Sequence, residues 1–292
     1  MIALALHGGA GAKAGRDYST EIDNMREIAQ FARDSLLNGA KAFDVVTEVV
    51  RQLEDSGLYV AGKGASPNAA GFYELDASLM NGADRACGAV TALQGFANPV
   101  LVARAVMEKT PHVMLAGDGA SLFAHEQGFE PIADEAEYFT RAGRFESNHP
   151  PGTLDSSSLA HGTVGCVCLD SYGHLAAATS TAGVFGKLPG RVGDTPIIGA
   201  GTWADGQTAV SCTGQGEYFI RVNASAQLAF RHAGGQALGE AADAILQQIV
   251  DMGGEGGLIA LNAKGEVIAP FRSQGMKRAW FSGDSEIVSE AF

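Results

Sequence analysis

Residues 2–6 are an unbroken apolar run that stops at His7-Gly8-Gly9, the pattern of a buried strand feeding a tight turn. From about Tyr18 the period changes. Ile22, Met25, Ala29, Ala32 and Leu36 fall on one helical face, and Asn38-Gly39 is a suitable C-terminal stop. Val45, Val46, Val49, Val50 and Leu53 form a second helical stripe, broken at Ser56-Gly57. Residues 75–80 and 88–93 read as strands, 98–108 as a helix with Pro99 in its first turn, and 112–116 as a further strand.

Between about 138 and 161 the periodicity is lost. Asn148-His-Pro-Pro-Gly-Thr153 and Ser156-Ser-Ser158 carry turn formers and breakers, the best linker in the chain. A hairpin follows, with strands at 163–169 and 174–180 around a turn at 170–173. A glycine-rich loop, a strand at 208–212, helices at 217–232 and 236–252, and a closing hairpin of 258–261 with 267–269 complete the pattern. Strands and helices come in blocks joined by hairpins, which favours layered α+β packing over a doubly wound parallel sheet.

Composition narrows the function classes. The 292 residues are 46% apolar and include 39 glycines: one globular body, or two small domains sharing an interface. A chain of this size buries roughly three-quarters of its unfolded surface and needs no disulfide or metal to fold. Asp and Glu outnumber Lys and Arg by 33 to 20, for a net charge of −13, and the basic residues gather in no patch. Nucleic acid and anionic membrane are therefore poor partners. The opening apolar run is too short for a signal sequence, and no window approaches eighteen apolar residues. Cys87, Cys166, Cys168 and Cys212 are few for this length, consistent with a reducing compartment, and a cytoplasmic protein is expected.

No catalytic metal or cofactor is indicated. The seven histidines are scattered, and Cys166 with Cys168 cannot close a tetrahedral site alone. Gly8-Gly-Ala-Gly11 and Gly62-Lys-Gly64 lack dinucleotide spacing, and there is neither a phosphate-binding G-x-x-x-x-G-K-[ST] nor a G-x-S-x-G elbow. His161-Gly162-Thr163 is sharper, because it places a hydroxyl at the start of an apolar strand after a linker. If the backbone breaks before Thr163, the freed α-amine has a reference pKa of about 7.7–8. One residue then supplies nucleophile and general base together. The alternative is a β-branched residue that merely opens a strand.

The chain resembles the plant-type asparaginase and isoaspartyl peptidase family of N-terminal-nucleophile hydrolases, nearly end to end. The matching segments are His7-Gly-Gly-Ala-Gly11, Glu74-Leu-Asp-Ala77, Asn98-Pro-Val100, Gly162-Thr-Val-Gly165, Ala178-Thr-Ser-Thr181, Lys187-Leu-Pro-Gly-Arg-Val-Gly-Asp194, Gly199-Ala-Gly-Thr202 and Ser211-Cys-Thr-Gly-Gln-Gly216. The resemblance implies a four-layer αββα sandwich, self-cleavage between Gly162 and Thr163, and a homodimer of processed α/β pairs. Residues 1–162 become the α subunit and 163–292 the β subunit of one structural domain. Thr163 is then the nucleophile, Thr181 the second threonine that assists it, and Thr213 with the Gly214 N–H the oxyanion donors.

In the same comparison Arg191 takes the substrate α-carboxylate, while Asp194 and the Gly216 carbonyl take its α-ammonium, with Gly214 also in the substrate site. Arg191 and Asp194 are three apart in a glycine-rich loop and carry the charges that recognition of a free amino acid end requires. Their bland alternative is an exposed loop salt bridge. A structural sodium ion is also implied, on the main-chain carbonyls of Leu53, Glu54, Ser56, Tyr59, Ala61 and Lys63, where a plain surface turn predicts the same sequence.

Two departures stand out. Val60 replaces the family's asparagine in Tyr59-Val-Ala-Gly62, and Lys63 occupies a commonly apolar position. They bear on substrate preference and turnover rather than on reaction class. The expected activity is hydrolysis of isoaspartyl dipeptides and L-asparagine. The alternatives are another β-aspartyl amide, such as a glycosylated asparagine, or an unprocessed binding protein without catalysis.

Overall fold

The first apolar run becomes strand β1 (Ala3–Ala10), and the two amphipathic stripes become α1 (Ser19–Leu37) and α2 (Ala42–Ser56). In this computed structural model the described residues are 1–142 and 162–292, so most of the expected linker, His161 included, lies outside them. β2 (Leu75–Asn81), β3 (Cys87–Leu93), α3 (Pro99–Lys109) and β4 (Met114–Ala116) follow as the pattern predicts. Helices α4 (Gly117–Glu126) and α5 (Glu135–Tyr138) come next and were not legible. Both are largely exposed and lack a continuous apolar stripe.

The expected hairpin is β5 (Val164–Leu169) with β6 (Leu175–Thr181). Beyond it lie β7 (Thr202–Ala204), β8 (Thr208–Gly214), α6 (Gly216–Val222), α7 (Ala224–Ala233) and α8 (Leu238–Asp251). The helix expected at 217–232 is thus two helices. Asn223 interrupts it with φ +48, in the left-handed region that asparagine tolerates better than most residues. The chain ends with β9 (Gly256–Asn262), β10 (Val267–Ile268), β11 (Phe271–Arg272), β12 (Met276–Ser282) and β13 (Val288–Glu290). β12 escaped notice because Lys277 and Arg278 interrupt its apolar pattern. Both are buried, Lys277 over the Tyr18 ring and Arg278 over Phe271 and paired with Glu290.

One sheet runs β13-β12-β1-β5-β6-β2-β3-β4; the other runs β10-β9-β8-β7, with β11 on β9. Alternation along the strands sorts the core into three slabs. Leu4, Leu6, Val164, Cys166, Cys168, Ala176 and Ala178 face helices α1, α2 and α3. Ala3, Ala5, Val167, Leu169, Ala177, Ala209, Ile259 and Leu261 fill the space between the sheets. Val210, Cys212, Leu258 and Ala260 face α6, α7 and α8. The fold is a four-layer αββα sandwich. Strands covered on both sides explain why runs such as 164–169 are apolar throughout. The cysteines are free thiols, and Cys166 and Cys168 are simply small core residues.

Strands from both sides of position 163 interleave in the larger sheet: β1 lies between β12 and β5, and β2 beside β6. No helix among the described residues is long and apolar enough to cross a membrane.

The inter-sheet slab is tightest at Gly165, where an added Cβ would lie 2.0 Å from Ser211 Oγ and 2.5 Å from His7 Nε2. Gly165→Ala should therefore destabilise the fold by about 1–3 kcal/mol or more through overpacking. An unchanged urea midpoint would show that the sheets separate there without cost.

Candidate active site

Two threonines face each other because of register. β5 and β6 pair with Val164 opposite Ser180, so Thr163 and Thr181 are opposed at the next step and share the inter-sheet face. Thr163 Oγ1 donates to Thr181 Oγ1 at 3.2 Å, and Thr181 Oγ1 also accepts from Gly183 N at 3.0 Å. Both side chains are buried. On β8 the alternation that turns Cys212 to the helices turns Ser211 and Thr213 inward. The Ala10 N–H donates to Thr213 Oγ1 at 3.2 Å, which leaves the Thr213 hydroxyl proton free to be given elsewhere.

Thr163, Thr181, Gly183, Arg191, Gly193, Asp194, Thr195 and Gly214 line one cavity. Its volume is about 10 Å³, room for roughly one water. A larger cavity of about 480 Å³ lies elsewhere, between Lys63 and residues 130–138, and is lined by no serine, threonine or cysteine. The chemistry is therefore assigned to the smaller one. Of the residues singled out in the sequence, Thr163, Thr181, Arg191, Asp194 and Gly214 meet there. Thr213 lies directly before Gly214 on β8. Gly216 packs on Asp194, since an added Cβ would be 2.8 Å from Asp194 Oδ1. Gly214 takes φ +148, and a side chain there would meet the Glu255 carbonyl at 2.6 Å.

The two charged residues behave differently. Arg191 holds the Glu217 carboxylate in a fork, Nε to Oε1 at 2.8 Å and Nη2 to Oε2 at 2.9 Å. Its remaining nitrogen, Nη1, is the one turned toward Gly183 and Gly193 on the cavity wall. Asp194 is not its hydrogen-bonded partner. Asp194 Oδ2 is buried without a hydrogen bond, and burial pushes this carboxyl up to about 7 despite the attraction of Arg191. The cavity wall thus carries a buried acceptor without a protein donor. Behind the wall Lys187 is buried, donating to the Glu74 carbonyl at 3.2 Å and lying 4.0 Å from Asp76 Oδ2. Asp76 in turn stands opposite Thr181 in the register.

Gly162 packs on Val60, where an added Cβ would lie 2.5 Å from Val60 Cγ2. The departure noted in the sequence thus sits beside the expected cleavage point as an apolar wall. Sequence reasoning gave no role of their own to Glu217, which orients Arg191, or to His7. The His7 Nδ1 lies 3.1 Å from the Thr163 carbonyl, and burial lowers this imidazole to about 3, so it is neutral. A histidine at the end of an unbroken apolar run was the available signal. Among the described residues no group of three or more His, Cys, Asp or Glu could hold a metal ion.

A family model described as asparaginase (Asparaginase_2) matches residues 1–289. The isoaspartyl peptidase of Salmonella typhimurium is 43% identical, over 97% of this chain and 96% of its own length. That of Escherichia coli K12 is 42% identical, over 97% and 94%. The human isoaspartyl peptidase/L-asparaginase is 39% identical, over 94% and 91%.

Because the folded state holds the Asp194 proton more tightly than the unfolded chain does, stability falls as pH rises from the ordinary carboxylate range to about 7. Above that the loss is complete. In a Thr163→Ala background, Asp194→Asn should raise Tm at pH 8 and much less at pH 5. An equal change at both pH values would mean that the carboxyl is solvated.

Proposed function

This chain belongs to the asparaginase family, and from that premise we propose that it is an autoprocessing isoaspartyl peptidase with L-asparaginase activity. One observation carries the mechanism: the Thr163 hydroxyl faces Thr181 at 3.2 Å in the same cavity as a buried carboxyl with one oxygen left without a hydrogen bond and a guanidinium. Such a site recognises a small zwitterion and attacks what lies beyond it.

In this reading the Gly162–Thr163 bond is cut first, giving a 1–162 and a 163–292 subunit that stay together because their strands interleave. The substrate α-ammonium sits on Asp194 with the Gly216 carbonyl, and the α-carboxylate on Arg191, which Glu217 holds in place. The Thr163 α-amine takes the Oγ1 proton as the oxygen attacks the β-carbonyl. Negative charge collects on the former carbonyl oxygen, within reach of the Thr213 hydroxyl and the Gly214 N–H; such a donor is typically worth about 10²–10³ in rate. Collapse expels ammonia or an amino acid, which receives the proton from the α-ammonium of Thr163. Water then attacks the β-aspartyl ester, with the same amine as base, to release aspartate and restore the threonine. Thr181, accepting from the Thr163 hydroxyl, directs it.

A homodimer of processed pairs and a cytoplasmic location belong to the same proposal, the latter supported by four free thiols. So does a structural sodium ion on the Leu53, Glu54, Ser56, Tyr59, Ala61 and Lys63 carbonyls. The Leu53, Tyr59 and Ala61 carbonyls accept from the Ser56 hydroxyl and the Ala61 and Gly64 N–H groups respectively, and a carbonyl oxygen carries a second lone pair. Lys63 is the poorest fit, because its carbonyl accepts from the Thr140 N–H and faces the Thr140 hydroxyl.

Thr163→Ala should leave one 30.1 kDa species on intact-mass measurement and no release of ammonia from L-asparagine. Continued fragmentation at that bond would name another nucleophile. Arg191→Ala should still cleave itself but bind β-aspartyl dipeptides about 2–5 kcal/mol more weakly, the usual cost of removing one partner of a buried charge pair. An unchanged KM would take Arg191 out of the substrate site.

A further inference from the structure

Strand β1 leaves the ladder just short of the nucleophile. Its pairing with β5 ends at His7 opposite Gly165, its register with β12 shifts between His7 and Ala10, and Gly9 has φ +103. The donor that meets the Thr163 carbonyl is accordingly a side chain, His7 Nδ1 at 3.1 Å. A carbonyl only accepts, so Nδ1 carries the proton. Complete burial disfavours a second one, so Nε2 is bare and accepts from the Ser211 hydroxyl at 2.9 Å.

That assignment fixes the direction of the hydroxyls behind it as far as Thr202. Ser211 Oγ, its own proton committed to His7, accepts from Thr179 at 2.7 Å; Thr179 accepts from Thr202 at 2.6 Å. Thr202 Oγ1 stands 2.8 Å from the Ser78 hydroxyl, whose single proton faces the Thr195 carbonyl at 2.6 Å. Every side chain in the series is buried between the sheets. The series begins beside Asp194 and ends on Thr163, with each donor polarising the next. Gly165 keeps the space open, since any side chain there would displace both Ser211 and His7.

We propose that His7 is the positioning residue of the nucleophile. Its Nδ1–H holds the Thr163 carbonyl and so fixes rotation about the Thr163 Cα–C bond, which sets the direction of the hydroxyl and of the α-amine together. The buried hydroxyl series keeps the imidazole in the one neutral tautomer that can donate. His7 is not a general base: both ring nitrogens are committed, and the Thr163 hydroxyl turns to Thr181 instead.

The inference rests on Thr163 being the nucleophile, and Thr163→Ala tests that separately. If Thr163→Ala retains activity, the nucleophile is wrong; if it is dead and the variants below fail to discriminate, only the role of His7 falls. An asparagine amide nitrogen can stand where Nδ1 stands, whereas a glutamine amide nitrogen reaches the place of Nε2. His7→Asn should keep kcat, per cleaved chain, within about tenfold of the unaltered enzyme, the scale of one neutral hydrogen bond. His7→Gln should lose about 10² in kcat, the scale of a misplaced reacting group, with KM within about twofold on a β-aspartyl dipeptide. A packing role predicts the reverse order, because glutamine is nearer to histidine in size. Glutamine equal to or better than asparagine, or a change confined to KM, overturns the proposal. Should both variants lose their circular dichroism signal, Ser211→Ala decides. It leaves His7 in place and frees its tautomer, and kcat should fall about three- to tenfold at unchanged KM. An unaltered kcat in that variant would overturn the proposal as well.

Discussion

The gap between the two sheets is the constraint on which the site depends. Face-to-face sheets stand about 10 Å apart, so every inward position on β1, β5, β6, β8 and β9 must be small or must share its volume with the strand opposite. Alanine, valine, leucine and isoleucine fill most of that slab. At one end the apolar filling gives way to hydroxyls, an imidazole and a glycine, and there the polar groups satisfy one another. Thr163, Thr181 and Thr213 are the rim of this polar end. Thr163 and Thr181 are opposed by the register of β5 and β6, and Thr213 turns inward from β8 of the facing sheet.

The residues proposed for recognition are arranged differently from those proposed for catalysis. The hydroxyls sit on strands, where register sets their spacing, whereas Arg191 and Asp194 sit in the loop between β6 and β7. The loop is anchored by charge. Lys187 is buried against Glu74 and near Asp76, Arg191 is held by Glu217, and the Gly190 N–H donates to Glu74 at 2.9 Å. Asp194 Oδ2 is left without a hydrogen bond, as is Thr195 Oγ1 beside it, and in the proposed function a substrate ammonium would relieve the electrostatic cost of that carboxyl. The fold is thus less stable at neutral pH than an amide at that position would make it, a common relation between binding sites and stability.

Much of the architecture was readable along the chain. The stripes at 45–53 and the continuous apolar run at 164–169 announced a helix and a doubly covered strand, because burial on one face or two leaves different periods. The breakdowns have equally local causes. Asn223 adopts a left-handed turn that no periodicity reports. Lys277 and Arg278 are charged residues buried by stacking and pairing with segments distant in sequence. Helix α4 buries only Ala120 and Ala124, too little for a stripe.

The residue types and spacing near Thr163, Thr181, Arg191 and Asp194 were written in the sequence, because short motifs hold those groups in fixed local order. Which groups touch was not. That Arg191 turns to Glu217, that Asp194 is left with a bare oxygen, and that His7 reaches the Thr163 carbonyl across 156 positions of chain are outcomes of packing. A one-dimensional pattern can say that a polar residue interrupts a buried strand. Only the approach of a second sheet, which removes water and leaves each donor a single acceptor, decides what that residue must hold.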